Sequence, residues 1–282
     1  MITDLPCYYN VLIITFANLN EQGQMDFDIQ GPYENDLELM KTHIAEWKKG
    51  SDPYGRERLA LFSMGGQNGK WPAGLTELQV ETAISDFIDA FSLDGLDVDL
   101  EGHAVEEAKT MLPAIKTLTT QGYVVTAAPE ASQGPLNGYD SILLELDWLH
   151  PQFYNNPPNA VTTPWSPICD WSAPDGNYGP PKGWQDETPA CYNLPAGTPW
   201  WYAVLDAITQ HKGMGKHTQG MLMPATKDAA NSYNDWDITR LRAQVDSTGV
   251  QHVGTWAIAY DNKNDYKFAS EMASIMDADI KC

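Results

Sequence analysis

The chain has 282 residues, of which 38 are acidic and 17 are Lys or Arg, so its formal net charge is −21. Hydrophobic residues make up 43%, too many for a disordered chain, and no apolar stretch is long enough to span a membrane. The acidic balance argues against a nucleic-acid partner or an anionic membrane surface, because both bind clusters of Lys and Arg. A chain of this length has room for one large barrel or for two smaller domains.

Short apolar, β-rich runs alternate with longer amphipathic stretches along the chain. In chain order, the predicted elements are strand Asn10–Ala17, helix Glu34–Lys49, strand Arg58–Met64, helix Leu78–Phe91 with Thr76 as candidate N-cap, strand Leu93–Leu100, helix Val105–Thr119, strand Gly122–Ala128, strand Leu146–Tyr154, helix Trp201–Gln210, strand Gln219–Pro224, helix Ile238–Val245, strand His252–Tyr260 and helix Tyr266–Met276. This alternation predicts one α/β domain with a parallel sheet covered on both faces. Seven strands are one fewer than a closed eightfold barrel needs, so periodicity leaves an incomplete barrel and an open sheet as alternatives.

Three carboxylates occupy alternate positions at the end of the strand Leu93–Leu100: Asp97, Asp99 and Glu101. Alternate residues of a strand share a face, so the three acids would lie together in a buried strand. Lost solvation and mutual repulsion raise the pKa of at least one of them, and a carboxyl group that keeps its proton near neutral pH can act as a general acid. A solvated polar face and a metal-binding cluster are the alternatives, with His103 the only histidine nearby.

The segment Asp94–Glu101 resembles the Asp-Gly-x-Asp-x-Asp-x-Glu signature of glycoside hydrolase family 18, the chitinases and related endo-β-N-acetylglucosaminidases. Further segments resemble other parts of this family in the same order: Ser63–Gly66, Ala127–Glu130, Gln152–Asn156 and Gly254–Ala257. The resemblance implies a (β/α)8 TIM-type barrel that forms a single catalytic domain over residues 1–282. It also implies an enzyme that hydrolyses the β-1,4 bonds between N-acetylglucosamine units of chitin.

The same resemblance implies the catalytic roles. Glu101 would protonate the glycosidic oxygen and then activate water, in a retaining reaction whose nucleophile is the substrate's own N-acetyl group. Asp99 would orient that acetamido group, and Asp97 would share a proton with Asp99. Tyr154 would hydrogen-bond the acetamido carbonyl, and Trp256 would present an apolar face to the sugar ring. Tyr154 and Trp256 would otherwise be core aromatics.

Four other residues are candidates for the substrate-binding region: Ser63, Glu130, Gln152 and Asn155. Ser63 would support the acids from the neighbouring strand, and Gln152 shares the parity of Tyr154. Glu130 follows a strand end, where it either contacts sugar or stays solvated. Asp94 has the opposite parity to the three acids and is expected to be structural. No metal and no cofactor are expected.

The chain departs from the family at its amino terminus, where Met1–Pro6 resembles a linker rather than a strand. The barrel is therefore expected to lack its first strand, which would expose two strand edges. Side chains would close the gap, a second chain would supply a strand in a homodimer, or the barrel would stay open. An open barrel would be weakly active, or a non-catalytic chitin-binding relative. An endo-β-N-acetylglucosaminidase acting on glycoprotein glycans is a further alternative.

The second half of the chain bears on the substrate groove and the cellular compartment. The short segment between Pro224 and Ile238 leaves no room for the small domain that some family members insert there, so an open groove and internal cleavage are expected. Five tryptophans in a proline-rich loop are either sugar-stacking platforms or a small core: Trp165, Trp171, Trp184, Trp200 and Trp201. Disulfides are predicted for the pairs Cys169–Cys191 and Cys7–Cys282, which would indicate a secreted protein although no signal-peptide pattern is present. Four reduced thiols in a cytosolic protein are the alternative.

Overall fold

The computed structural model describes residues 1–27, 29, 31–51, 55–131, 138–155, 205, 208–209, 213–215, 218–230, 242, 245 and 249–276. The chain divides into two compact units. Unit 1 consists of Met1–Ala128, Glu145–Asp147 and Ala269–Cys282, and unit 2 consists of Pro129–Leu144 and Trp148–Phe268.

Unit 1 contains a mixed sheet in which β2 is antiparallel to β1 and the other neighbours are parallel. Its strands, in the spatial order β2-β1-β3-β4-β5, are β1 (Val11–Leu19), β2 (Met25–Phe27), β3 (Leu59–Gly66), β4 (Gly95–Leu100) and β5 (Val124–Ala127). The β1–β2 hairpin turns at Asn20, whose side-chain Oδ1 accepts the backbone N–H groups of Gln22 at 3.1 Å and Gln24 at 2.9 Å. The Asn20 carbonyl also accepts the N–H of Gly23 at 2.9 Å, so Asn20 provides the acceptors for three N–H groups of the turn.

Three helices follow the strands of unit 1: α1 (Leu37–Lys48), α2 (Glu77–Phe91) and α3 (Leu112–Gln121). The predicted N-cap of α2 is confirmed. Thr76 accepts the N–H of Gln79, and the Gln79 side chain accepts the N–H of Thr76, which completes a capping box. Gly122 ends α3 with a φ of 86°, the left-handed conformation in which glycine carries no steric penalty.

The interior strands β3 and β4 are buried along almost their whole length. Every residue of β4 is buried, as is every residue of β3 after Leu59. The helices contribute buried apolar side chains at three- and four-residue spacing: Met40, Ile44 and Trp47 of α1, Val80, Ile84 and Ile88 of α2, and Ile115 and Leu118 of α3. The carboxylates of β4 therefore belong to a buried strand and do not lie on a solvated strand face.

Unit 2 contains parallel pairing between two strands and a series of isolated bridges. Its elements include β6 (Trp148–Leu149), β7 (Gly220–Pro224), β8 (His252–Trp256) and α4 (Ile258–Asn262), and α5 (Lys267–Met276) begins in it. β7 and β8 are parallel, and single parallel bridges join Leu149 to Gln219 and Gln152 to Leu222.

The predicted strands agree with the structure in type and place, with ends that shift by a few residues. Each of the seven predicted runs contains a strand: β1, β3, β4, β5, β6, β7 and β8. β2 was not predicted, because a three-residue strand carries too little alternation to recognise. The run Leu146–Tyr154 keeps only the two residues of β6 as regular strand, since Pro151 has no N–H to donate to a ladder. Closure of the strands into a barrel stays a prediction.

The helix predicted over Val105–Thr119 was wrong in its first half. Residues Gly102–Met111 form a 3-10 helix, and the α-helix begins only at Leu112. Pro113 accounts for the restart, because a proline is tolerated in the first turn of an α-helix but not in its interior.

The strand predicted over His252–Tyr260 was too long. The strand ends at Trp256, and the chain then forms the helix α4. Asp261 explains the change: its N–H donates to the carbonyl of Ala257, and its fully buried carboxylate accepts the N–H of Phe268 at 2.8 Å. An apolar run of this length fits strand and helix alike until such a polar anchor is considered.

At the amino terminus, Met1–Pro6 forms no strand, as predicted, but it is more than a linker. It contains a short 3-10 helix, Ile2–Asp4, and the buried Ile2 donates its N–H to the hydroxyl of Tyr33 at 2.8 Å.

Several predictions lie wholly or mostly outside the described residues: the helices Trp201–Gln210 and Ile238–Val245, the loop tryptophans, Cys169, Cys191 and Cys282. Cys7 is disulfide-bonded, but both predicted pairings stay predictions, since each requires a cysteine that is not described.

Candidate active site

β4 carries two of the predicted catalytic acids, and the third follows at its end. Asp97 is 2% exposed and Asp99 is 7% exposed, whereas Glu101, one residue beyond the strand, is half-buried. Ionised carboxylates are costly in such surroundings unless hydrogen bonds or a proton compensate the lost hydration. Exposure to solvent therefore increases along the three acids, from the buried Asp97 to the partly accessible Glu101. An accessible position is the one suited to exchanging a proton with a substrate or with water.

The Asp97 carboxyl group is held by two hydroxyl groups from the neighbouring strands. Ser63 of β3 donates to Oδ2 at 2.7 Å, and Thr126 of β5 donates to Oδ1 at 2.5 Å. Burial raises the pKa of Asp97 above its ordinary value, while the hydrogen bonds from Thr126 and Ser63 act in the opposite direction. The structure thus brings Ser63 to the acid strand, where the resemblance places it.

Thr126 was not identified from the sequence, although it contacts Asp97 as closely as Ser63 does. It is fully buried, and its register opposite Asp97 is set by the β4–β5 pairing. Its hydroxyl group in an otherwise apolar strand was the available signal. Only the pairing register shows which residue of β4 that hydroxyl faces.

Glycines allow β3 to approach the end of β4. Gly65 pairs with Asp99 and has a φ of 122°, and a Cβ atom built on it would overlap the Asp99 carbonyl group, lying 2.6 Å from its carbonyl carbon. A Cβ on Gly66 would lie 2.7 Å from the ring of Phe16. The Nδ2 group of Asn18 donates to the Gly65 carbonyl at 3.2 Å. A side chain at Gly65 is excluded because the backbone of the acid strand occupies its space, and one at Gly66 is excluded by the ring of Phe16.

Asp94, the first acid of the motif segment, lies apart from the three others in its contacts. Its Oδ2 accepts the N–H of Ala60 at 2.8 Å, and its Oδ1 accepts a hydrogen bond from Lys48 at 2.6 Å. Both members of this ion pair are 25% exposed. Asp94 therefore joins the start of β4 to β3 and to the end of α1, in agreement with the structural role predicted from its parity.

In unit 2, backbone bridges join Gln152 to one other candidate residue, Glu130. It bridges Glu130 on one side and Leu222 on the other, and the buried Tyr154 follows two residues later. Gln152 is 4% exposed, while Glu130 is half-buried, and burial raises the pKa of the Glu130 carboxyl. Both readings for Glu130, contact with sugar and contact with solvent, stay predictions.

The two remaining candidates lie at segment ends in unit 2. Trp256 is the last residue of β8, pairs with Pro224 of β7 and is half-buried. Asn155 is half-buried and has a φ of 57°, a left-handed conformation that asparagine adopts more readily than most residues.

Unit 2 also contains a cluster that was not predicted from the sequence: Trp148, His150 and His252. The Trp148 and His252 ring centroids are 4.6 Å apart, and those of the two histidines are 5.9 Å apart. Burial, together with the nearby His252, lowers the pKa of His150 to about 3. His150 is therefore neutral at neutral pH.

The described part of the chain contains neither a candidate metal cluster nor a membrane-spanning helix. No group of three or more His, Cys, Asp or Glu residues in that part is placed to hold a metal ion. Among the helices of the same part, none is long and apolar enough to cross a membrane.

Sequence comparisons find chitinases. No family model matches the chain. A curated relative from Arthroderma benhamiae, named "Probable class II chitinase", is 33% identical over 174 residues, which cover 50% of this chain and 50% of that protein. The chain thus spans about half the length of this relative, and its matches to two further curated chitinases cover 33% and 25% of theirs.

Solved structures of chitinases share the fold. A family GH18 chitinase from Chromobacterium violaceum is 15% identical with a TM-score of 0.67, and the match covers 98% of this chain and 78% of that one. A chitinase from Ipomoea carnea is 16% identical with a TM-score of 0.66, covering 98% and 94%. The chain therefore has an α/β, TIM-barrel-like fold. The curated relatives are all named chitinases, which agrees with the resemblance of the segment Asp94–Glu101 to glycoside hydrolase family 18.

Proposed function

We propose, with the assignment to glycoside hydrolase family 18 as the premise, that this chain hydrolyses the β-1,4 bonds between N-acetylglucosamine units of chitin. The observation that carries the proposal is the sealed acid strand β4, in which Asp97 and Asp99 are buried and Glu101 emerges at the end. Breaking a glycosidic bond requires a proton on the leaving oxygen. A carboxyl group beside other buried acids is suited to hold that proton at neutral pH.

We assign the proton transfers to Glu101. Its carboxylic acid gives its proton to the glycosidic oxygen as the bond from that oxygen to C1 breaks. The carbonyl oxygen of the substrate's own N-acetyl group bonds to C1 from the opposite face, which forms an oxazolinium ion. Glu101, now a carboxylate, takes a proton from the attacking water, whose oxygen bonds to C1 as the oxazolinium ring opens. Two inversions at C1 give net retention.

Asp99 and Asp97 assist the reaction steps that Glu101 carries out. The oxazolinium ion and the transition states on either side of it carry positive charge, which a carboxylate at Asp99 would stabilise. Asp97 shares a proton with Asp99 and releases Asp99 to turn toward Glu101. Ser63 supports this exchange, since its hydroxyl group is bonded directly to Asp97 at 2.7 Å.

The candidates of unit 2 are proposed to contact the substrate. The Tyr154 hydroxyl group donates a hydrogen bond to the acetamido carbonyl and orients that carbonyl for attack. Trp256 presents its ring to the apolar face of a sugar. The polar groups Gln152, Asn155 and Glu130 bind sugar hydroxyl or amide groups. Glu130 is fitted to this role because a half-buried carboxyl group with a raised pKa can donate as well as accept a hydrogen bond.

Finer properties follow as proposals from the same family. An open groove and internal cleavage of the polymer agree with the short segment between Pro224 and Ile238. A secreted, extracellular location agrees with a polymeric substrate and with the disulfide-bonded Cys7. A homodimer is the proposed assembly, and light scattering distinguishes it from a monomer.

The test is a parallel assay of an N-acetylglucosamine hexamer and a high-mannose glycopeptide. We expect internal cleavage of the hexamer, with the β-anomer as the first product by proton NMR, and no cleavage of the glycopeptide. Cleavage of the glycopeptide alone would instead indicate an endo-β-N-acetylglucosaminidase. Binding of the hexamer without cleavage would indicate a chitin-binding protein, and release from one end only would contradict internal cleavage.

A further inference from the structure

Asp97 lies in a row of three polar side chains that crosses the most buried part of the unit 1 sheet. Ser63, Asp97 and Thr126 are adjacent in register on β3, β4 and β5, and all three are at most 2% exposed. Each carboxyl oxygen of Asp97 has its own hydroxyl partner, at 2.7 Å for Ser63 and 2.5 Å for Thr126. The side chain is therefore held from both sides.

The arrangement favours one ionisation state of Asp97. An ionised carboxylate accepts from both hydroxyl groups at once, and the two oxygen–oxygen distances lie in the range of charge-assisted hydrogen bonds, about 2.5–2.7 Å. A protonated carboxyl group must itself donate, so one hydroxyl group would have to turn and donate elsewhere. Burial works against the charge and raises the pKa of Asp97, and Thr126 is the stronger of the two hydroxyl groups that oppose it.

We propose that Thr126 is a positioning residue for the reaction: with Ser63, it fixes the Asp97 carboxyl group and makes its negative charge tolerable inside the sheet. This inference rests on the proposed function. When Asp99 turns toward Glu101, the shared proton goes with Asp99, and Asp97 is left as the anion. Thr126 stabilises that anion, so its contribution appears during turnover and not in substrate binding. The proton only changes its position within the acid row, and no other reactant is needed.

The experiment compares Thr126→Val, which keeps the shape but removes the hydroxyl group, with Thr126→Ser, which keeps the hydroxyl group. On an N-acetylglucosamine oligomer, Thr126→Val is expected to lower kcat by about tenfold or more and to leave KM within about twofold. The acidic limb of its kcat profile is expected to move to higher pH, because an anion that is harder to form needs a higher pH. Thr126→Ser is expected to restore kcat to within about threefold of the wild type. It is also expected to return the acidic limb of the kcat profile to its wild-type position.

The pH dependence of the unfolding free energy is a second test of the inference, and it does not require an active enzyme. A carboxyl group whose folded pKa is raised above its unfolded value favours the folded state at low pH, and this contribution is lost as pH rises through the folded pKa. Removing the Thr126 hydroxyl group raises the folded pKa of Asp97 further. The loss of unfolding free energy in Thr126→Val is therefore expected to be larger at pH 7 than at pH 3.

A loss of stability equal at both pH values, together with an unchanged kcat profile, would overturn the inference and leave Thr126 as a packing residue. If the wild type hydrolyses no chitin oligomer, the proposed function fails. The unfolding comparison still decides whether Thr126 stabilises the Asp97 anion.

Discussion

Replacing Gly65 by alanine tests whether the close approach of β3 to the acid strand sets the geometry of the site. Gly65 has a φ of 122°, and an added Cβ would lie 2.6 Å from the carbonyl carbon of Asp99, whereas ordinary contact begins at 3.4 Å. One of the two backbones must therefore move by at least about 0.8 Å, the difference between these distances, because the Asp99 carbonyl oxygen lies nearer still. Either movement shifts β3 relative to the segment that carries Asp99 and leads to Glu101.

The expected cost has two parts. The backbone conformation alone costs about 1–3 kcal/mol of unfolding free energy for a residue with a Cβ. The displacement of the acid strand adds a loss of activity, because a shift of about 1 Å in a catalytic group can lower the rate by about 100-fold. We therefore expect Gly65→Ala to lose about 100-fold in kcat, measured on an N-acetylglucosamine oligomer at a temperature at which urea unfolding shows the variant to be folded.

Gly74 provides the matched control. Its φ is 81°, and a Cβ built on it meets nothing within 4 Å. Gly74→Ala is expected to lose stability from the backbone conformation and to keep its kcat within about twofold. If folded Gly65→Ala turned over at the wild-type rate, or if both variants lost activity equally, close packing at Gly65 would not position the acids.

Two further substitutions test other parts of the structure. Asp94→Ala is expected to lower the unfolding free energy by about 2–3 kcal/mol, because it leaves the Ala60 N–H without its acceptor, whereas Asp94→Asn keeps an acceptor and is expected to cost about 1 kcal/mol. Both should retain the wild-type kcat, and a large loss of kcat in folded Asp94→Asn would contradict a structural role. The pKa of His150 is lowered from 6.5 to about 3, so the unfolded chain binds a proton that the folded chain rejects between these values, and stability falls as pH drops through that range. His150→Leu is expected to flatten this slope in urea unfolding from pH 6.5 to pH 4, and an unchanged slope would show that other groups cause it.

The sequence allowed the acid strand to be recognised because spacing carried the information. Alternate acids in an apolar run predict a buried polar face, and the structure buries Asp97 and Asp99. The parity of Asp94 also separated it correctly from the other acids. Its partners Ala60 and Lys48 could not be predicted, since they lie 34 and 46 residues away in the chain and are brought to it by folding.

Thr126 shows where pattern analysis ends. A threonine in a strand is common, and its partner depends on the register between two strands joined by a helix. A similar limit applies at Pro151 and Asp261, where a single residue ends a strand or begins a helix within an apolar run. Periodicity averages over such residues, while the structure depends on their individual hydrogen bonds.

The most direct test of the account is the Glu101→Gln variant, assayed beside the wild type on an N-acetylglucosamine hexamer. Glutamine keeps the size of the side chain but cannot give a proton to the glycosidic oxygen. We predict that the variant folds with an unfolding free energy within about 1 kcal/mol of the wild type, still binds the hexamer, and loses about 100-fold or more in hydrolysis. Hydrolysis by folded Glu101→Gln at the wild-type rate would contradict the assignment of Glu101 as the proton donor, and with it the proposed mechanism.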